Sequence, residues 1–321
     1  MKILYPACFP WNIVRIETDN IHKLYVEECG NKEGVPVVFL HGGPGSGCNE
    51  NHRRYFNPKK YRVILFDQRG CHRSKPRGVT ENNNTHNLLL DIERIRKHLG
   101  IEKWLLFGGS WGSTLGLLYA EKYPERVLGL VLRGVFLARR SDLDWYARDG
   151  ANRILPDDWE RFIGPVPQNE RRNIIAAYHK RIFSRNARIS RKYARAWSAW
   201  TTRVVTWNLP MGKNLSQKNR GKENIRTILN QSRIEAHYAL NHYFIRDNQI
   251  LKNISRIPQV PITIIHGRRD LTCTLEASWS LHRALPHSEL VIIPDAGHLA
   301  SEPAMVDALI KATDKMARVL R

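Results

Sequence analysis

Short apolar runs alternate with longer amphipathic stretches over most of the chain. Val35 to Leu40, Arg62 to Phe66, Trp104 to Phe107, Val127 to Leu132, Pro261 to Ile265 and Glu289 to Ile293 are such runs. Most end in Gly, Asp or His. Unbroken apolar character over so few residues predicts strands buried on both faces. Between them Leu88, Ile92, Ile95 and Leu99 keep helical spacing, with Thr85 placed to cap and Gly100 to stop the helix. Thr114 to Ala120, Glu276 to Leu285 and Glu302 to Leu320 also read as helices. Residues 12–29 predict a hairpin, with Ile13, Val14 and Ile16 before Thr18-Asp19-Asn20 and Leu24 and Val26 after it. Strands alternating with helices predict a mostly parallel central sheet with helices on both faces.

The pattern breaks between about Ala138 and Arg246. Trp, Tyr and Arg become frequent and strand-like runs disappear. Residues 170–183 and 187–200 predict helices, and 208–224 a loop. The expected organisation is a core in two parts, 1–137 and 247–321. A helical cap, 138–246, is inserted over the sheet's C-terminal edge.

Composition narrows the class. The chain has 321 residues, 42% of them hydrophobic, enough for a large core. No apolar run approaches the ~18 residues of a membrane span. Met1 to Pro6 has one Lys and no long apolar region, so no signal peptide is expected. Five scattered cysteines without a C-x-x-C pair suggest neither a disulfide framework nor a zinc site, and a reducing, cytoplasmic location is expected. Neither metal nor cofactor is expected. The net charge of +21 permits binding to anionic partners. Residues 139–226 hold 20 Lys and Arg against 8 Asp and Glu. No nucleic-acid motif accompanies them, so nucleic acid is not expected as a partner. Nothing in the sequence sets the oligomeric state.

Candidate chemistry sits at the strand ends. Gly108-Gly109-Ser110-Trp111-Gly112 lies between an apolar run and a helix, the setting of a nucleophile elbow. The pentapeptide pattern alone arises by chance in about one chain in ten of this length. Asp270 follows Ile262 to Ile265, and His298 follows Val291 to Ile293. Asp67 and Asp295 are rival acids on neighbouring loops. The order Ser110, Asp270, His298 is that of the α/β-hydrolase fold. A serine hydroxyl needs a base within reach, histidine suits that role at neutral pH, and an acid orients the ring. Two N–H donors should face the developing oxyanion. One is expected from Trp111 and the other from the His41-Gly42-Gly43 loop, at Gly43.

His41-Gly42-Gly43-Pro44-Gly45, Asp67-Gln68-Arg69-Gly70, the elbow, Gly267-Arg268-Arg269-Asp270 and Ala296-Gly297-His298 together resemble the prolyl aminopeptidase (proline iminopeptidase) family. Leu132 to Phe136, Ala196 to Trp200 and Arg233 to Tyr238 extend the resemblance into the insertion. It implies release of N-terminal proline from small peptides by acyl transfer to serine, without metal or cofactor. It also implies that Glu235 binds the substrate amine, that Phe136 and Tyr146 pack on its ring, and that Cys273 lies at the pocket wall. Thr201 stands where the family usually has Glu, and Ala239 where it usually has Phe. His72 and Arg269 depart from the family's Gly and Tyr. These departures keep open a hydrolase of another amide or an ester. A basic interaction protein that has lost activity is the reading from another class.

Overall fold

Leu105 and Phe107 face one side of a central strand, and Trp104 and Leu106 the other. This double burial is why the run is apolar throughout. The strand, β5 (Trp104–Ser110), lies in an eight-stranded sheet with β1 (Pro10–Glu17), β2 (Lys23–Gly30), β3 (Val35–Leu40), β4 (Tyr61–Asp67), β6 (Val127–Val135), β7 (Ile262–Gly267) and β8 (Glu289–Ile293). In this computed structural model residues 1–209 and 224–320 are described. The sheet order is β1-β2-β4-β3-β5-β6-β7-β8. β1 and β2 form the expected antiparallel hairpin, and β2 pairs antiparallel with β4. The remaining neighbours are parallel.

Helices α1 (Thr85–His98) and α2 (Trp111–Lys122) pack on one face through Leu88, Ile92, Leu115 and Leu118. On the opposite face a C-terminal helix (Pro303–Val319) contributes Met305, Leu309 and Met316. The start of α1 differs from expectation. Asn84 is the cap, and its side chain accepts from the Asn87 N–H. Thr85 is the first helical residue, and its hydroxyl donates to the Tyr243 carbonyl.

Between β6 and β7 the described residues are mostly helical. The segments are α3 (Arg140–Ala147), α4 (Ala151–Ile154), α5 (Pro156–Ile163), α6 (Ile174–Ile182), α7 (Ala187–Val205), α8 (Ile225–Leu240) and α9 (Gln249–Lys252). Of residues 170–183, expected as helix, the first four belong to a tighter 3-10 turn, Gln168–Asn173, before α6. Asn173, Asn186 and Asn224 cap α6, α7 and α8 with their side chains. These helices enclose an aromatic core of their own, in which Phe162 stacks on Tyr178 at 4.4 Å and on Trp200 at 5.5 Å. The expected loop at 208–224 lies largely outside the described residues. After the insertion, α10 (Leu275–Ala284) and α11 (Pro303–Val319) follow β7 and β8. The C-terminal ends of β5, β7 and β8 therefore open toward the inserted helices. No helix among the described residues is long and apolar enough to cross a membrane.

Candidate active site

Ser110 ends β5 and precedes α2 with φ 55° and ψ −126°. A non-glycine residue at positive φ is strained, typically by about 1–3 kcal/mol. The surroundings enforce the turn. A Cβ on Gly108 would lie 2.2 Å from the Gly112 carbonyl oxygen, and one on Gly112 would lie 1.9 Å from that of Leu40. Only glycine lets the elbow pack this closely. Ser113 Oγ donates to the Ser110 carbonyl at 2.6 Å and accepts from the Phe136 N–H at 3.1 Å, tying the elbow to the end of β6.

Asp270 and His298 meet as their places after β7 and β8 suggest. Asp270 Oδ2 lies 2.7 Å from His298 Nδ1. Its Oδ1 accepts from the N–H groups of Thr272 and Cys273, both at 2.9 Å. Burial alone would raise the Asp270 pKa. The charge and hydrogen bond of His298, with the His266 ring and the Cys273 amide, outweigh it and hold the carboxyl below its usual range. The His298 loop is anchored from both sides. Glu302 accepts from the Gly297 and Leu299 N–H groups, and Arg133 donates to the His298 carbonyl at 2.5 Å. The rival acids are engaged elsewhere. Asp67 is buried against Arg73 at 2.8 Å and the Cys48 N–H at 2.7 Å. Asp295 is exposed and paired with Arg269.

Ser110 and His298 face one cavity of about 630 Å³, enclosed between the sheet edge and the inserted helices. They are not hydrogen bonded to each other. The Ser110 hydroxyl instead lies 3.9 Å from Cys273 Sγ. Catalytic hydrogen bonds of this kind are often loose until substrate is bound. Burial raises the Cys273 thiol well above its ordinary pKa, so it stays protonated beside the serine. Gly43, Phe136, Tyr146 and Glu235 line the same cavity. Among the described residues no group of three or more His, Cys, Asp and Glu could hold a metal ion.

Glu235, on α8, is buried in the cavity wall. Its carboxylate accepts from Trp197 Nε1 at 2.7 Å and from Gln231 Nε2 at 2.8 Å. No Lys, Arg or His among the described residues pairs with it. Burial pushes its pKa up to about 7, and the two hydrogen bonds only partly oppose that shift. Such a carboxylate gains most from a cation brought in from outside.

Residues 35–304 match a family profile described as alpha/beta hydrolase fold. The chain is 45% identical to the proline iminopeptidase of Xylella fastidiosa over 315 residues, 98% of this chain and 99% of that protein. It is 44% identical to the proline iminopeptidase of Xanthomonas citri, covering 99% of this chain and 100% of that one. For that of Arabidopsis thaliana the identity is 42%, over 99% of this chain and 83% of the plant protein. The chain belongs to the proline iminopeptidase family of α/β hydrolases. Among solved structures it is similar in fold to an α/β hydrolase from a deep-sea metagenome library, with TM-score 0.67, 18% identity and coverage of 95% and 96% of the two chains. A proline iminopeptidase-related protein from Thermus thermophilus has TM-score 0.62, 20% identity and coverage of 96% and 98%.

Several residues around this iminopeptidase-family site escape sequence reasoning. Trp197 and Gln231 hold Glu235; the latter stands one helical turn before it, a spacing that could have marked it. Thr201, already marked in the sequence as a departure from the family, lines the cavity, and what the sequence does not show is its partner, the Tyr146 hydroxyl at 2.6 Å. Tyr243 also lines the cavity, edge-on to Phe136 at 4.9 Å and 5.3 Å from Trp111. It sits in a run of three left-handed residues, His242, Tyr243 and Phe244, none of them glycine. No local signal announces that turn.

Proposed function

We propose that this chain is a serine exopeptidase that releases N-terminal proline from small peptides. Ser110 Oγ attacks the prolyl carbonyl, and His298 Nε2 takes its proton. Asp270 holds the opposite ring nitrogen and stabilises the imidazolium. Gly43 and Trp111 offer backbone N–H groups to the tetrahedral oxygen. His298 then returns the proton to the leaving amine, and water releases proline by the same steps in reverse. Glu235 pairs with the substrate's charged amine, while Phe136, Tyr146 and Cys273 bound the space for its ring. Residues 138–246 act as the cap that selects substrate, over a core built from 1–137 and 247–321.

The observation that carries this reading is Glu235, a buried carboxylate that pairs with no Lys, Arg or His among the described residues and lies in the cavity that holds Ser110 and His298. Neutral substrates would leave it uncompensated. A cationic amine would both pair with it and draw it into its ionised form. A wider amide or ester range is the second reading, supported by the neutral Thr201–Tyr146 pair in the same wall. A hydrolysis panel of aminoacyl arylamides, with an N-blocked prolyl ester as control, separates the two. Strong preference for the free prolyl arylamide supports the first; equal turnover of the blocked ester rejects it. We assign the protein to the cytoplasm, in keeping with its five free cysteines.

A further inference from the structure

Gln68 joins the two segments that carry the candidate oxyanion donors. Its side-chain Nε2 donates to the His41 carbonyl at 2.9 Å, and its Oε1 accepts from the Trp111 indole Nε1 at 3.1 Å. Its backbone N–H donates to His41 Nε2 at 3.0 Å. All three residues are buried, so water does not compete for these bonds.

The backbone bond fixes the tautomer of His41. A ring nitrogen that accepts carries no proton, so the proton of the neutral ring sits on Nδ1. Burial lowers the His41 pKa, which keeps the ring neutral. Nδ1–H then donates to the Gly42 carbonyl at 2.9 Å. The Gly47 N–H, 3.3 Å from the same nitrogen, faces a protonated atom and does not bond to it. The Gly42 carbonyl and the Gly43 N–H belong to one trans peptide unit and point in opposite directions. Holding the carbonyl against the His41 ring therefore sets the direction of the Gly43 N–H. That N–H donates to no acceptor among the described residues. The unit also lies against the nucleophile, since a Cβ on Gly42 would be 3.3 Å from Ser110 Cβ.

We propose that Gln68 and His41 are positioning residues for the oxyanion hole. Gln68 orients the His41 ring, the ring orients the Gly42–Gly43 peptide, and the Gln68 side chain fastens that loop to Trp111. A loop with glycine at 42, 43, 45 and 47 has wide conformational freedom, and an oxyanion donor displaced by a fraction of an ångström loses much of its effect. The inference rests on the reading of Ser110 as nucleophile.

The test uses Gln68→Met, which removes both polar side-chain atoms, and Gln68→Glu, which keeps an acceptor for Trp111 but loses the donor to His41. Each is compared with the parent in kcat and KM on a prolyl arylamide and an aryl ester. Inhibition by proline and the rate of phosphonylation by a fluorophosphonate are measured alongside. We expect kcat and the phosphonylation rate to fall together by about 10- to 100-fold, with KM and proline inhibition within about threefold of the parent. A parallel loss in KM and proline inhibition would mean that Gln68 merely supports the pocket, and would overturn the proposal. So would phosphonylation within about twofold of the parent in both variants. If Gln68→Met does not fold, Trp111→Phe removes the indole N–H together with part of the buried ring, and the same split, with kcat reduced about three- to tenfold and KM within about threefold, is expected; an unchanged kcat counts against the proposal. A parent that cleaves the ester but not the prolyl arylamide refutes the proline reading, while the phosphonylation comparison still decides the role of Gln68.

Discussion

The hydroxyls of Tyr146 and Thr201 lie 2.6 Å apart on the cavity wall, forming a neutral pair in the cavity that also holds the buried carboxylate of Glu235. Thr201→Glu should replace that pair with a second carboxylate. An added charge in a partly solvated cavity is worth about 1–2 kcal/mol toward a cationic amine. Selectivity for free-amine over N-blocked substrate, taken as the ratio of kcat/KM values, should rise by about tenfold. An unchanged ratio would show that position 201 does not reach the bound amine.

Glu235→Gln should act in the opposite sense. It leaves a cationic amine in a buried site without its partner. A loss of about 2–5 kcal/mol in kcat/KM is expected for the free prolyl arylamide. An N-blocked ester brings no positive charge and should lose far less. Equal losses on both substrates would make Glu235 a structural residue.

The same carboxylate should leave a mark on stability. Burial raises its pKa from 4.5 to about 7, so the folded protein binds this proton more tightly than the unfolded chain. The stabilising contribution is complete below the unfolded value and is lost as pH rises through about 7, a change on the order of 3 kcal/mol. Glu235→Gln should therefore gain stability relative to the parent between pH 5 and pH 8, each pH being about where one form dominates. Urea unfolding of both proteins at the two pH values measures this. A difference independent of pH would contradict it.

Ser110→Ala should lower turnover by about 10⁴-fold or more, with little change in unfolding, because only a hydroxyl is lost. Asp270→Asn should cost about 10⁴-fold, since an amide favours the wrong His298 tautomer. Asp295→Asn removes only a surface ion pair and should leave turnover within about twofold. Steady-state assays of the three variants check the assignment of the acid, and the reverse pattern at 270 and 295 would refute it.

The central strands and the order of Ser110, Asp270 and His298 are legible in the sequence because burial on both faces writes such strands as nearly unbroken apolar runs, and the half-buried edge strand β8 keeps an apolar run as well. Ser110, Asp270 and His298 each follow such a run. What is not legible depends on partners distant in the chain. Thr85 looks like a helix cap, yet its hydroxyl is occupied by the carbonyl of Tyr243, and the cap falls to Asn84. Trp197 reaches Glu235 from another helix. His41, Gln68 and Trp111 belong to three separate strand ends, and their hydrogen bonds appear only once the strands are side by side. The left-handed turn at His242–Phe244 has no glycine to signal it; the Tyr243 ring packed beside Trp111 and Phe136 supplies a tertiary reason for it.

β6 and β7 are hydrogen-bonded neighbours although the whole helical insertion separates them in sequence. The entropy of joining two chain ends grows only with the logarithm of the intervening length, about 0.6 kcal/mol per doubling. An insertion can therefore lengthen, shorten or be exchanged at this point without disturbing the register of the strands beneath. The helical insertion and the sheet that carries Ser110, Asp270 and His298 are thereby separable pieces of polypeptide. The same arrangement orders events during synthesis. A nascent chain completes the Ser110 turn early, but Asp270 and His298 emerge only after the insertion, so the three come together only once the second part of the core is made.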